Sequence, residues 1–127
     1  MLTKILYSAA VSMVMAEANP PNWDTSKVKI LGGGSGDQGI VNEIAGKMVG
    51  ARGQWSNDRY AIFLKPGYHS VNINVGFYTT VHGLGATPSL TEVGGIHVDQ
   101  YNNMSLDNFW RSAENFHVKG STRWSVS

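Results

Sequence analysis

Short apolar pairs that recur along the second half of the chain are the feature that most constrains its fold. In each pair, Ile73/Val75, Ile96/Val98 and Phe116/Val118, two apolar side chains are separated by one residue, as in a short strand with one buried face. A spacing of about 20 to 25 residues between such strands is typical of stacked β-solenoid coils. The intervals from Ile73 to Ile96 and from Ile96 to Phe116 both fall in that range. An antiparallel meander of hairpins fits three pairs equally well, so periodicity alone leaves both folds open.

The region before these pairs predicts two strands and one helix. Val28–Leu31 and Tyr60–Leu64 are apolar runs of strand length. Between them, apolar residues recur at helical spacing over residues 39–50. A glycine-rich run at 32–36 precedes this helix, and the polar stretch 50–57 predicts a loop.

The glycines at Gly34, Gly36 and Gly39 formally match a dinucleotide-binding fingerprint. That fingerprint also requires an acidic residue at the end of the next strand. Here the next strand ends in Lys65-Pro66-Gly67. The glycines are therefore interpreted as a turn into the helix, and no cofactor is expected.

The N-terminal segment, residues 1–18, has the pattern of a cleaved signal peptide. Lys4 precedes a short apolar run that ends in small residues around Ala16 and Ala18. The run is shorter than the roughly 20 residues that a membrane-spanning helix needs. We therefore expect residues 1–18 to be removed and the protein to be secreted, with no membrane span. A buried N-terminal helix is the alternative.

Composition excludes some partners. Ten basic and nine acidic residues are scattered singly and give a net charge of +1, so no basic stripe is available for nucleic acid. Cysteine is absent, so disulfides cannot stabilise the domain. No His-rich motif with metal-ligand spacing occurs, and no metal site is expected.

Three stretches resemble the pectate-lyase-like superfamily of secreted β-helix proteins. They are Arg59–Gly67, Val75–Pro88 with its Val-Gly-Phe-Tyr-Thr segment, and Asn108–Val118 with its Asn-Phe-Trp-Arg segment. The resemblance implies a mainly β fold, a right-handed parallel β-helix preceded by one N-terminal cap helix. Residues 19–58 would hold the first strand, glycine-rich loop and cap helix, and residues 59–127 three to four coils. Members are mostly extracellular polysaccharide lyases and hydrolases, which implies a polysaccharide or glycan partner.

Two departures from that family limit the resemblance. Residues before 59 match poorly, and relatives continue for several coils beyond the position of Ser127. We therefore expect a fragment with an incomplete active site. The open end of its last coil would favour self-association or capping by a partner.

Glycosidase chemistry needs two carboxyl groups roughly 5 to 10 Å apart. The candidates are Asp99, Asp107 and Glu114, and Arg111 is a candidate for the basic group of a lyase. Alternatively, Arg111 and Glu114 pair with each other or with the backbone of a corner.

Sugar rings stack on aromatic side chains, and the candidates for this role are Phe77, Tyr78, Trp110 and Trp124. Buried packing at the corners of the coils is the alternative for these four residues. His97 and His117 each lie between the apolar residues of a pair, so they are expected to point outward in neighbouring coils and to stack. Such a pair would contact a sugar or bind a metal weakly, and the alternative is a solvated pair on the sheet surface. Asn103 begins an Asn-Met-Ser triplet that fits N-glycosylation.

Three functions remain open at this point. An enzyme would bring two carboxyls, or a carboxyl and Arg111, into one groove. A non-catalytic glycan-binding or adhesion module would instead expose a row of aromatic side chains without convergent carboxyls. A structural subunit of a larger assembly would bind its partner through the open end.

Overall fold

Parallel strands dominate the structure, a computed structural model that describes residues 24–99 and 107–125. The predicted signal peptide and Asn103 lie outside the described residues. The strands, in chain order, are β1 (Val28–Leu31), β2 (Tyr60–Leu64), β3 (Gly67–Asn74), β4 (Thr79–Gly83), β5 (Thr91–His97), β6 (Arg111–Glu114), β7 (His117–Val118) and β8 (Thr122–Arg123).

The strands form two sheets, and the chain passes from one to the other. The first sheet has the order β1-β2-β4-β6, and the second has the order β3-β5-β7, with β8 also paired to β5. Every one of these pairings is parallel. The prediction of a mainly β fold with parallel strands is confirmed, and the antiparallel meander is excluded for the described residues.

Side chains alternate between the two faces of these strands. In β2, Tyr60, Ile62 and Leu64 are buried, and the residues between them are partly exposed. Both strands predicted before the apolar pairs form where the sequence placed them. One hydrophobic cluster collects the inward side chains of both sheets and of the first helix. Its members are Leu31, Val41, Ile44, Met48, Tyr60, Ile62, Leu64, Val71, Ile73, Val75, Val81, Val93, Ile96 and Val98.

The predicted helix forms over Asp37–Met48 (α1), two residues earlier than expected. At its start, Asp37 Oδ2 accepts a hydrogen bond of 2.8 Å from the backbone N–H of Gly33, which fixes the preceding turn. An acidic side chain in the first turn also suits the positive end of the helix dipole. The loop predicted at 50–57 is wrong in part, because Ala51–Gln54 form one further helical turn (α2).

Helix α1 covers the exposed edge of the second sheet. Strand β3 ends the order β3-β5-β7, so one side of its backbone has no neighbour among the described strands. The Gln38 side chain donates to the Asn72 carbonyl (3.0 Å) and accepts from the Asn72 N–H (2.9 Å). One helical side chain thereby replaces a strand partner and blunts an edge that would otherwise attract another chain.

The number of residues between paired positions of neighbouring strands increases along the second sheet. Ile73 pairs with Ile96, which confirms the first interval. Val118, however, pairs with Val93, and Ile96 pairs with Thr122. The prediction that the Phe116/Val118 pair stacks on Ile96/Val98 is therefore wrong. Strand β5 has seven residues and pairs with two short strands, β7 near its start and β8 near its end. Val118 of β7 therefore lies nearer the start of β5 than the spacing of the apolar pairs predicts.

Close backbone packing between repeats gives a testable consequence at Gly83. A Cβ atom there would lie 2.0 Å from the Asn115 carbonyl oxygen, whereas nothing lies within 4 Å of a Cβ at Gly46 in α1. We expect Gly83→Ala to lower the free energy of unfolding by about 1 to 3 kcal/mol. Gly46→Ala should raise it by up to about 1 kcal/mol, because alanine favours helix. Urea denaturation followed by circular dichroism measures both, and unchanged stability of Gly83→Ala would contradict this packing.

Candidate functional site

The outward face of the first sheet carries rows of side chains that the parallel register aligns. Val28 pairs with Ala61, Ala61 with Thr80, and Thr80 with Ser112. These four small residues form what we call the floor row. Since side chains alternate along a strand, residues two positions away lie on the same face. A row of larger side chains therefore lies on each side of the floor row.

The first of these rows lies immediately before the strands and consists of Arg59, Tyr78 and Trp110, here called the outer column. The guanidinium carbon of Arg59 is 3.8 Å from the centre of the Tyr78 ring, a cation–π contact. The Tyr78 and Trp110 rings are stacked, with centroids 6.4 Å apart and planes at 25°. The column is thus continuous across three neighbouring strands, and it ends in Trp110, which is 68% exposed.

The backbone holds the two aromatic members of the outer column in place. Tyr78 (φ 51°) and Trp110 (φ 58°) both adopt the left-handed conformation, which costs about 1 to 2 kcal/mol per residue outside glycine. The Tyr78 N–H donates to the Trp110 carbonyl (2.7 Å), and the Tyr60 N–H donates to the Tyr78 carbonyl (3.0 Å). The Tyr78 hydroxyl donates to the carbonyl of Gln54 (2.8 Å), which fixes the ring.

A groove of about 580 Å³ lies between the outer column and the floor row. Tyr78 and Trp110 form its aromatic wall. Its floor carries two hydroxyls, Thr80 Oγ1 and Ser112 Oγ, which are 2.5 Å apart. Aromatic faces beside a few polar groups are typical of small-molecule and sugar sites.

The row on the far side of the floor row consists of Ile30, Phe63, His82 and Glu114. Phe63 and His82 meet edge to face, with ring centroids 6.3 Å apart. His82 Nδ1 lies 3.1 Å from Glu114 Oε1. The Glu114 side chain is 65% exposed, so a polar pair borders this side of the sheet.

Arg111 does not pair with Glu114. Residues three apart in a strand point to opposite faces, so the predicted pairing is incompatible with β6. Arg111 instead lies over the Phe77 ring (4.2 Å) and donates to the Val75 carbonyl (2.6 Å) and the Asn108 side chain (3.3 Å). Burial lowers the pKa of Arg111 to about 10, and the nearby Asp99 opposes that shift. The guanidinium therefore remains charged at neutral pH, and its Nη1 and Nη2 atoms donate to the protein.

The three candidate carboxyl groups are not gathered in one site. Asp99, which follows β5 of the second sheet, accepts hydrogen bonds from Asn74 (2.8 Å) and Arg123 (3.0 Å). Glu114 ends β6 of the first sheet and contacts His82. Asp107 is partly buried in the connection that leads into β6.

The predicted stacking of His97 on His117 is wrong. His97 pairs with Asn74 on one side and Arg123 on the other, and His117 pairs with Glu92. The cause is the longer second repeat, which moves His117 toward the start of β5. His97 belongs instead to the polar cluster around Asp99, with its Nε2 atom 3.7 Å from Asp99 Oδ1.

Two of the four predicted aromatic residues meet in the outer column. The other two, Phe77 and Trp124, are not members of the outer column. The Phe77 ring is fully buried and packs on Phe109 (5.3 Å), so the predicted sugar contact is unavailable to it. Trp124 lies apart, beside a small groove that Ile96 and Phe116 also line.

Sequence reasoning missed several residues of this face. Arg59 and the floor hydroxyls of Thr80 and Ser112 were not among the candidates. The signal that could have found Arg59 is its place in the sequence. Like Tyr78 and Trp110, it stands immediately before a strand.

In the described part of the chain, no three His, Cys, Asp or Glu side chains are grouped so as to hold a metal ion. Within residues 24–99 and 107–125, no helix is long and apolar enough to cross a membrane.

The chain is similar in sequence to an exo-β-1,3-glucanase and in structure to sacteLam55A. It is 42% identical over 97 residues to an exo-β-1,3-glucanase of Streptomyces sp. (strain SirexAA-E / ActE), a match that covers 71% of this chain and 16% of that protein. The structure of sacteLam55A from Streptomyces sp. SirexAA-E superposes with a TM-score of 0.74 and 37% identity over 80% of this chain. A variant of sacteLam55A in complex with glucose gives a TM-score of 0.74 and 32% identity over 86% of this chain.

The chain spans 16% of the curated glucanase and 20% of each solved chain. No protein-family model matches it. The resemblance to the pectate-lyase-like superfamily is wrong, because the protein that matches in sequence is an exo-β-1,3-glucanase and the structures that match are of sacteLam55A. The segments behind that resemblance provide turns and core packing, as Phe77 shows, and such features do not identify a substrate.

The environment of Arg111 predicts a structural role. We expect Arg111→Ala to lower the free energy of unfolding by about 2 kcal/mol, because it removes a charged donor from the Val75 carbonyl. Arg123→Ala is the matched control. Its guanidinium also binds a carboxylate but is 66% exposed, so the loss should stay below about 1 kcal/mol. Equal losses in urea denaturation would contradict the assignment.

Proposed function

We propose that this chain is part of an extracellular protein that binds β-1,3-glucan, and that the whole protein acts as an exo-β-1,3-glucanase. The similarity to the Streptomyces glucanase carries this proposal, at 42% identity over 97 residues, and the superposition on sacteLam55A supports it. The complex of a sacteLam55A variant with glucose supports a sugar ligand of the same kind.

The proposed architecture is a right-handed parallel β-helix. The alternation of the chain between two parallel sheets supports it. The pairing of Ile73 with Ile96 and of Val93 with Val118 also supports it, because a solenoid coil of this kind takes about 20 to 25 residues. In this architecture, α1 is the cap helix, and its Gln38 side chain covers the edge of β3. Residues 1–18 would direct secretion, which suits a protein acting on a polysaccharide outside the cell.

The proposed contribution of this chain is binding rather than bond cleavage. Hydrolysis of a glycosidic bond needs an acid and a second carboxyl roughly 5 to 10 Å apart. Among the described residues, Asp99 and Glu114 belong to separate clusters, and each contacts another side chain. An aromatic column that includes an exposed tryptophan, without convergent carboxyls, is the pattern expected of a glycan-binding surface. Self-association or capping by a partner stays a prediction.

Isothermal titration of the full chain with matched oligosaccharides tests this function. A β-1,3-linked glucose hexasaccharide should bind at least about tenfold more tightly than its β-1,4-linked counterpart, a difference of about 1.4 kcal/mol. Oligogalacturonate, the substrate type implied by the rejected resemblance, should not bind. A reducing-sugar assay on the same mixture should show no release of glucose.

Two results would contradict the proposal. Failure of the β-1,3-linked hexasaccharide to bind would remove the assigned ligand. Release of glucose by the chain alone would show that its carboxyls do converge, and the binding-only role would be wrong.

A further inference from the structure

We infer that the groove beside the outer column is the glucan-binding site of this chain, with Trp110 as the platform on which a glucose ring stacks. The identity of the sugar rests on the proposed function, whereas the location rests on the geometry of the first sheet. The groove runs across the strands, so a glucan segment would lie along the direction in which the strands stack.

Trp110 is the member of the outer column that is available to a ligand. Tyr78 lies between its two neighbours, because the three residues precede the successive strands β2, β4 and β6. Arg59 contacts the Tyr78 ring at 3.8 Å, and Trp110 stacks on it at 6.4 Å. Trp110 is the last member of the column within residues 24–99 and 107–125 and is 68% exposed, so its indole can receive the apolar face of a sugar ring.

Polar groups next to this platform can recognise ring hydroxyls. Thr80 and Ser112 share one hydrogen bond, in which either hydroxyl can be the donor. The other hydroxyl therefore keeps its proton for a ligand. Arg59 donates to the carbonyls of Ser56 and Asp58 (2.8 Å each), which holds its guanidinium at the end of the column. A guanidinium has five N–H donors, and those that remain can reach a sugar oxygen.

The site is preorganised by its backbone. Tyr78 and Trp110 both adopt left-handed conformations, and the hydrogen bond from the Tyr78 N–H to the Trp110 carbonyl connects them directly. Such strain persists only where the surroundings fix it, and it clusters at functional sites. Ala61 leaves the space beside the rings open, since its side chain ends at Cβ in the floor row.

The decisive variant is Trp110→Ala, compared with Trp55→Ala in the full chain. Trp55 is also a highly exposed tryptophan (75%), and it lies outside the groove against Phe109. We expect Trp110→Ala to weaken binding of the β-1,3-linked hexasaccharide at least about tenfold, and Trp55→Ala to change it by less than about twofold. Circular dichroism and urea denaturation establish that each variant is folded.

A second pair of variants tests the groove without altering the outer column. Ser112→Leu fills the floor row and should also weaken binding about tenfold. Ser70→Leu places the same side chain at an exposed position of β3 in the second sheet and should leave binding unchanged. If Trp110→Ala does not fold, the comparison of Ser112→Leu with Ser70→Leu still tests whether the groove binds the hexasaccharide.

The possible results separate the two proposals. If the unaltered chain does not bind the hexasaccharide, both the proposed function and this site are wrong. If it binds and Ser112→Leu and Trp110→Ala bind equally well, glucan binding stands and the groove is excluded as its location. Selective loss in those two variants confirms the site.

Discussion

The parallel pairing of β2, β4 and β6 is the constraint on which the rest of the structure depends. Tyr60 pairs with Thr79, and Thr79 pairs with Arg111. The residues that follow these three positions are therefore also paired, and their side chains form rows across the strands. Inward rows become the apolar core, and outward rows become a patterned surface. The outer column exists because the residue before each of these positions is Arg59, Tyr78 or Trp110. A shift of one residue in either pairing would move every side chain of that strand to the opposite face.

Turns between the sheets maintain this register at some conformational cost. Asn115 adopts a left-handed conformation (φ 61°), and its side-chain amide donates to the carbonyls of Gly83 and Gly85 at 2.7 and 2.8 Å. One asparagine thereby connects the end of β6 to the end of β4. Arg111 makes a comparable connection at the other end of β6, where it donates to the Val75 carbonyl. The strained positions are thus compensated by hydrogen bonds to backbone groups of the preceding repeat.

Part of this arrangement was predictable from the sequence. Continuous apolar runs predicted β1 and β2, and strict alternation around Ile73 and Ile96 predicted both a strand and its partner. Strands β7 and β8 have two residues each, too few to show a period, so the later register was misplaced. Phe77 and Tyr78 are adjacent aromatics, and only the turn geometry decides which one is buried. Arg59 was missed because its role arises from a contact with Tyr78, which the sequence alone does not indicate.

Cysteine crosslinking tests the central claim, the register of the first sheet, most directly. The chain has no cysteine, so introduced pairs report without interference. Thr80 and Ser112 are paired residues with hydroxyls 2.5 Å apart, whereas Glu114 lies two positions further along β6. We predict that Thr80→Cys with Ser112→Cys forms a disulfide readily under mild oxidation. Thr80→Cys with Glu114→Cys should not, because a two-residue offset separates the Cα atoms by more than about 7 Å. Equal or preferential crosslinking of the second pair by mass spectrometry would contradict the register and, with it, the outer column.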